Sequence, residues 1–315
     1  MSKNKKQKIL ITGGSGFIGS AITRHLVSKG HLVTVFDNNS RGKLRRLSEI
    51  ISKIKFKRGD VRNYKKLKSL SGNFDTVIHL AYVNGTKFFY KKPFEILDIA
   101  VNGFLNILKF SKERKVKNFY LASSSEVYQN PLKFPTDETE MLKIPDIHNP
   151  RYSYGGGKIF SELYGIHYAK KYFKKFIIFR PHNVYGKDMG NDHVIPEFIN
   201  RFKKLGNKKK FLIHGTGNEI RSFVYIQDFI NGFDKVFDKG KNLEIYNIGT
   251  SEKVKISHLA QMISKIYKKN ILFTKTELLK GSPSKRCPEI KKIIKLGFKQ
   301  KISLREGLNK IISND

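Results

Sequence analysis

Tyr154 and Lys158 stand four residues apart, so on a helix they share one face and the ammonium lies beside the phenol. A phenol titrating at about 10 is a poor base at neutral pH. An adjacent positive charge favours the phenolate, which can then take a proton from an alcohol or sugar hydroxyl. Upstream, Ser123-Ser124-Ser125-Glu126 follows the apolar run Asn118 to Ala122. That places hydroxyls and one carboxylate at the carboxyl end of an expected strand, where open α/β sheets bind ligands. A phenol–ammonium pair beside a hydroxyl-binding platform describes chemistry at a C–OH carbon.

Oxidising such a carbon needs a hydride acceptor, and the start of the chain has a place for one. The apolar run Ile9 to Ile11 has the length of a buried strand and breaks into glycines. Gly14, Gly16 and Gly19 satisfy G-x-G-x-x-G, and Gly13, Gly16 and Gly19 give the related G-x-x-G-x-x-G. Such turns let backbone approach a pyrophosphate closely. Phe17, Ile18, Ala21, Ile22 and Leu26 then recur at helical spacing, so a helix N-terminus beginning at Phe17 and Ile18 would aim free N–H groups at the phosphates. A second strand, Leu32 to Phe36, ends in Asp37, about 20 residues beyond the last glycine, where a ribose-binding acid belongs. A carboxylate there accepts from both ribose hydroxyls and repels a 2′-phosphate, which favours NAD over NADP. Arg41 is the counter-signal.

Strand-like runs continue at Ile54–Lys57, Thr76–Leu80, Asn118–Ala122 and Phe176–Phe179, separated by stretches that read as helix. Alternation of this kind implies an α/β fold, a Rossmann-type doubly wound parallel sheet. Two long helices, Pro93–Lys112 and Gly155–Tyr172, carry wide apolar faces that can cover a sheet and still meet another subunit. Beyond Arg180, prolines and glycines punctuate shorter segments, as expected of a smaller C-terminal substrate-binding lobe. We therefore expect residues 1–180 to form the cofactor-binding domain, with the sheet completed at about 220–250, where Leu243–Ile248 returns to it. Residues 181–315 would form mainly the substrate lobe, interleaved with the first and ending in the amphipathic helices Ile256–Ile266 and Leu304–Ile312.

The 315 residues are 39% hydrophobic, enough for a large core. The net charge of +36 would ordinarily raise nucleic-acid binding. The lysines are instead spread over nearly every surface segment, and runs such as Lys208 to Lys210 are short, so no specific nucleic-acid partner is expected. No segment approaches a membrane span, and the basic start Lys3 to Lys8 runs straight into the first strand, which reads as cytoplasmic. The single cysteine, Cys287, excludes an internal disulfide, and no His/Cys cluster predicts a metal. His79, His182 and His193 are read as packing or supporting residues.

Nearly end to end, the chain resembles the extended short-chain dehydrogenase/reductases that act as nucleotide-sugar epimerases, dehydratases and decarboxylases. The likeness is carried by Gly13 to Gly19, Asp37-Asn38, Gly59-Asp60-Val61, His79-Leu80-Ala81, Ser123 to Tyr128, Tyr154/Lys158, Arg180 to Gly186, Arg221 to Asp228 and Arg286 to Ile290. The resemblance implies that Asp60 and Val61 contact adenine, that Leu80 and Ala81 line the nicotinamide channel, and that Lys158 holds the nicotinamide ribose. It also implies that Ser124 binds the sugar hydroxyl being oxidised while Tyr154 takes its proton, with Ser125 beside them. Asn183, Arg221 and Arg286 would grip the diphosphate of a nucleotide-diphosphate sugar, and a homodimer would form through a four-helix bundle.

Departures bear on the reaction. Gly157 stands where the family usually carries Ser, within three consecutive glycines that either make room for backbone or sugar or precede the first regular helical turn. Ala100-Val-Asn-Gly-Phe104 replaces a more polar pattern, and Glu289 replaces an Asp. The resembling enzymes all oxidise C4 of the sugar first. A 4,6-dehydratase needs a second acid beside Glu126, and Ser125 stands there instead. Ser124-Ser125-Glu126 also resembles the glucuronate decarboxylases, whose 4-ketone is the electron sink. An epimerase needs no further acid, and 4-epimerisation is the first expectation, with dehydrogenase, dehydratase and decarboxylase as alternatives. A dinucleotide sensor on the same fold is the reading from another class; it need not keep Tyr154, Lys158 and Ser124.

Overall fold

Five short strands alternating with helices in the first half become five parallel strands: β1 (Lys8–Thr12), β2 (Leu32–Asp37), β3 (Ile54–Arg58), β4 (Thr76–His79) and β5 (Asn118–Ala122). They are joined by β6 (Lys175–Pro181) and an edge strand, Ile245–Ile248, in a computed structural model that describes residues 6–206, 209–277 and 281–313. Lys3 to Lys5 and Lys208 lie outside the described residues. The seven strands run in the order edge strand, β6, β5, β4, β1, β2, β3, and every neighbouring pair is parallel. The chain reverses its direction of winding between β1 and β4, which opens a crevice at their carboxyl ends.

Strand side chains alternate between two cores. Ile9 and Ile11 pack with Ile22, Leu26, Phe229 and Phe233 on one face, and Leu10 with Phe104, Ile107 and Phe119 on the other. A third core, around Phe198, Phe202, Phe211, Leu259 and Leu308, belongs to the later segments.

The helix expected from Pro93 extends to Glu113, and its middle turn, Ile99–Gly103, is a π-helix. At its two ends, Ile99 lines the crevice and Gly103 leaves room for Val61, whose Cγ2 would lie 2.7 Å from an added Cβ. The segment between β2 and β3, expected to be helical, is 3₁₀ over Leu44–Lys53. Strand ends differ by a residue or two. Leu243 adopts a positive φ of 62°, so the edge strand begins only at Ile245.

Candidate active site

The loop after β1 is tight because it must be. A Cβ on Gly19 would fall 2.0 Å from the Gly13 carbonyl oxygen, so only glycine lets the helix Phe17–Ser28 pack down on the turn. That helix starts at Gly16 without a side-chain cap, which leaves its first N–H groups facing the crevice. At the end of β2, Asp37 accepts from the backbone N–H groups of Ser15 (3.0 Å) and Asn39 (2.8 Å), which fix its carboxylate. Asn38 donates to Asp60 (3.0 Å), and Arg62 grips Asp60 and Asp98 together. The Arg62 hydrogen bonds pull the Asp60 carboxyl down to about 2. Arg41, the counter-signal for NADP, pairs with Asp192 at 2.8 Å and stacks over Phe88, so its charge is already engaged.

These groups line one end of a continuous cleft of about 730 Å³. Gly13, Gly16 to Gly19, Asp37, Asn38, Asp60, Val61, Leu80 and Ala81 lie there. Uncapped helix N–H groups, a glycine turn and an ordered acid at the second strand are a donor and acceptor set that fits NAD.

Tyr154 and Lys158 line the same cleft from the helix Ser153–Tyr172. Lys158 is buried and donates to the Ala122 carbonyl at 2.7 Å. Burial pushes its ammonium down to about 7, against the opposing charge of Glu162. Burial likewise pushes the Tyr154 phenol well above its ordinary value, while a hydrogen bond with Ser124 and the charge of Arg286 pull it back. The phenol ring stacks on Phe89 at 4.9 Å and stands T-shaped to Tyr82 at 5.0 Å.

The three glycines lie inside this helix, which begins at Ser153 rather than Gly155, so they do not precede its first turn. They make room. A Cβ on Gly155 would lie 2.9 Å from the Glu126 carbonyl oxygen, and one on Gly157 would lie 2.1 Å from the Tyr82 hydroxyl.

Ser124 caps the short 3₁₀ turn Ser125–Val127 by accepting from the Glu126 N–H at 3.2 Å. Glu126, read from sequence as a catalytic carboxylate, is instead clamped by Arg286 through two bonds of 2.7 and 3.0 Å, with Arg151 4.0 Å away. Burial alone would raise its carboxyl, but the charges of Arg286 and Arg151 outweigh it and hold Glu126 below its ordinary value. Arg286 sits at the Tyr154 end of the cleft, where Ser125 and Asn183 also line it. Arg221 belongs to the same charge cluster, feeling the charges of Arg286, Glu126 and Arg151, and its guanidinium donates to the carbonyls of Ile220 (2.9 Å) and Pro283 (2.7 Å).

Behind the pair lies a buried network that the sequence did not reveal. Glu162, one turn beyond Lys158, accepts from Arg180 at 2.9 and 2.5 Å and from Ser123, and Arg180 donates to Tyr128 at 2.6 Å. Tyr128 in turn donates to Asn247, which contacts His182 at 3.0 Å. His79 is buried against Thr12 at 2.7 Å, and His193 lines the cleft beside Asn191. Among the described residues no cluster of three or more metal-ligating side chains occurs, and no helix is long and apolar enough to cross a membrane.

Residues 9–249 match the NAD dependent epimerase/dehydratase family. UDP-glucuronic acid decarboxylase 1 of Danio rerio is 30% identical over 99% of this chain and 73% of its own length. The dTDP-D-glucose 4,6-dehydratase of Dictyostelium discoideum is 32% identical over 82% of this chain and 62% of its own. Among solved structures, the UDP-glucose 4-epimerase of Thermotoga maritima with UDP-glucose overlays with a TM-score of 0.87 at 28% identity, covering 97% of both chains.

Proposed function

The chain belongs to the NAD dependent epimerase/dehydratase family, and from that premise we propose that it oxidises C4 of a nucleotide-linked hexuronate and releases the C6 carboxylate as CO2. The observation that carries this reading is the charge at the sugar end. One ionised carboxylate, Glu126, faces Arg286 and Arg151, leaving surplus positive charge beside Tyr154. An anionic sugar suits that surplus. The Nε of Arg286 is also buried without a partner among the described residues.

Bound NAD supplies the two-electron acceptor and donor at C4. Tyr154 takes the O4 proton while Ser124 hydrogen-bonds the same oxygen, and Arg286 holds the C5 carboxylate. With C4 a ketone, the C5–C6 bond breaks, and its electron pair delocalises onto O4, where Ser124 and Tyr154 stabilise it. CO2 leaves and C5 takes a proton from water. Tyr154 then returns its proton to O4. Glu126 stays ionised under Arg286, which makes it a poor donor for expelling water and weighs against 4,6-dehydration.

Incubation of the NAD-loaded protein with UDP-glucuronate, followed by proton NMR and CO2 release, tests this. A UDP-pentose with one equivalent of CO2 is expected, and Arg286→Lys should lower kcat/KM about 10- to 100-fold because lysine cannot keep the bidentate grip on Glu126 and also meet the sugar carboxylate. UDP-, dTDP- and GDP-hexoses run in parallel separate the alternatives. A new anomeric signal at unchanged mass indicates 4-epimerisation, the second reading, which a sugar end lacking a free proton donor also suits. Loss of water or of two hydrogens indicates dehydratase or dehydrogenase, and no reaction with NAD bound indicates a dinucleotide sensor.

In this reading residues 1–180 hold the cofactor and 181–315 mainly the sugar nucleotide, with the edge strand returned to the first unit. A homodimer completes it. The helix pair that packs behind Tyr154 leaves Phe94 (81%), Leu163 (62%) and Tyr164 (40%) exposed, an apolar face of the kind that a four-helix bundle covers. Light scattering should give twice the chain mass, and Leu163→Asp with Phe94→Asp should return it to one chain.

A further inference from the structure

Tyr82 directly follows the Ala81 that lines the nicotinamide end of the cleft, and neither the proton-transfer reading nor the family motifs use it. Its ring does three things at once. Its face lies under the Lys158 ammonium, with Nζ 3.9 Å from the ring centroid. The ring stands T-shaped to that of Tyr154, with centroids 5.0 Å apart at 87°. Its hydroxyl, buried and without a hydrogen-bond partner among the described residues, points at the helix beside Gly157. A side chain at position 157 would collide with that hydroxyl at 2.1 Å and with Ala100 at 2.6 Å, so the glycine that departs from the family pattern and the tyrosine occupy one another's space.

We propose that Tyr82 is a positioning residue of the proton-transfer pair: its π-face seats the Lys158 ammonium, its T-shaped contact fixes the Tyr154 ring, and Gly157 is glycine to admit it. This rests on Tyr154 and Lys158 being that pair. The hydroxyl is the dispensable part, because it is buried against the helix beside Gly157 and makes no hydrogen bond among the described residues. The ring face is the part that acts. A buried ammonium is costly, and an aromatic face offsets the cost without introducing a carboxylate that would compete with the phenol for it. The other groups facing Lys158 are the Ala122 carbonyl from β5, His79 from β4, and Glu162 and Tyr154 from its own helix. Beyond Tyr154 lie Ser124, Glu126 and Arg286.

The test needs no substrate. Carbon-13 NMR of ε-labelled lysine in the full-length protein follows the Lys158 ammonium, assigned by the loss of its signal in Lys158→Met. Tyr82→Phe should leave the midpoint of that titration where it is. Tyr82→Leu should lower it by about one pH unit, the size of shift that loss of a desolvated cation–π contact produces. Because leucine also changes the packing, Tyr82→pentafluorophenylalanine is the stricter variant: it keeps the ring and removes the negative π-face, and the same fall is expected. A midpoint unmoved by fluorination overturns the proposal. So does a midpoint that falls as far in Tyr82→Phe as in Tyr82→Leu, since the hydroxyl would then be the acting group. Gly157→Ala should weaken the pair in the wild-type background and recover in part with Tyr82→Phe, which removes the nearer clash. The proton-transfer reading fails separately, if Tyr154→Phe keeps full turnover.

Discussion

Tyr154→Phe should cut kcat about 10²- to 10⁴-fold and leave NAD bound, the loss expected when a positioned acid/base is removed and nothing else. The substitution is clean because the ring has its own support. Phe89 stacks on it and Tyr82 stands T-shaped to it, and both contacts survive the loss of the hydroxyl. Ser124 loses one partner but still accepts from the Glu126 N–H, so the turn it caps stays formed. The measurement pairs turnover by proton NMR with the NAD content of the purified protein after acid release. Retained NAD with collapsed turnover places the hydroxyl on the reacting proton. Retained turnover would remove the phenol from the reaction, and loss of NAD alone would make it a cofactor contact. Lys158→Met should be slower still to turn over and should weaken NAD as well, because the ammonium serves the phenol and the cofactor side together.

The cofactor cradle was legible because each of its parts is local. Glycine spacing, helical periodicity from Phe17 and the acid ending β2 all lie within one βαβ unit, and backbone geometry alone brings them together. The Tyr154/Lys158 pair was legible for the same reason, as one helix face. What stayed hidden is what depends on partners far apart in the chain. Glu126 looked like a free carboxylate until Arg286, from the far end of the sequence, was seen to clamp it. Arg41 argued for a 2′-phosphate until Asp192 and Phe88 were seen to engage it. Tyr82 carried a signal that went unused: a glycine in place of serine before Lys158 announces that something bulky lies opposite, and position 82 is where the structure puts it. Glu162 and Arg180 carried no local signal, since a buried ion pair between a helix and a strand has no periodicity.

That pair supports the second large effect. Arg180→Met should destabilise the protein by about 3–5 kcal/mol, because it strands the Glu162 carboxylate in the core. At about 2 °C per kcal/mol for a chain of this size, Tm should fall by about 6–10 °C in a calorimetric scan. Glu162→Leu alone should cost a similar amount by stranding the guanidinium. The double variant should recover much of the loss, since an apolar pair of similar volume often replaces a buried ion pair at little cost. Recovery should stop short of complete, because Ser123 and Tyr128 each lose a partner. Activity should not recover with it. Glu162 sits one turn from Lys158, and its charge is what opposes the burial of that ammonium. Without it the lysine loses its proton at lower pH, and a neutral amine then lies beside Tyr154 in place of an ammonium. A double variant with near-native Tm and depressed turnover would therefore separate the two duties of the network. If turnover returned together with Tm, Glu162 would serve packing alone, and the ammonium would depend on the ring of Tyr82 and the Ala122 carbonyl for its place.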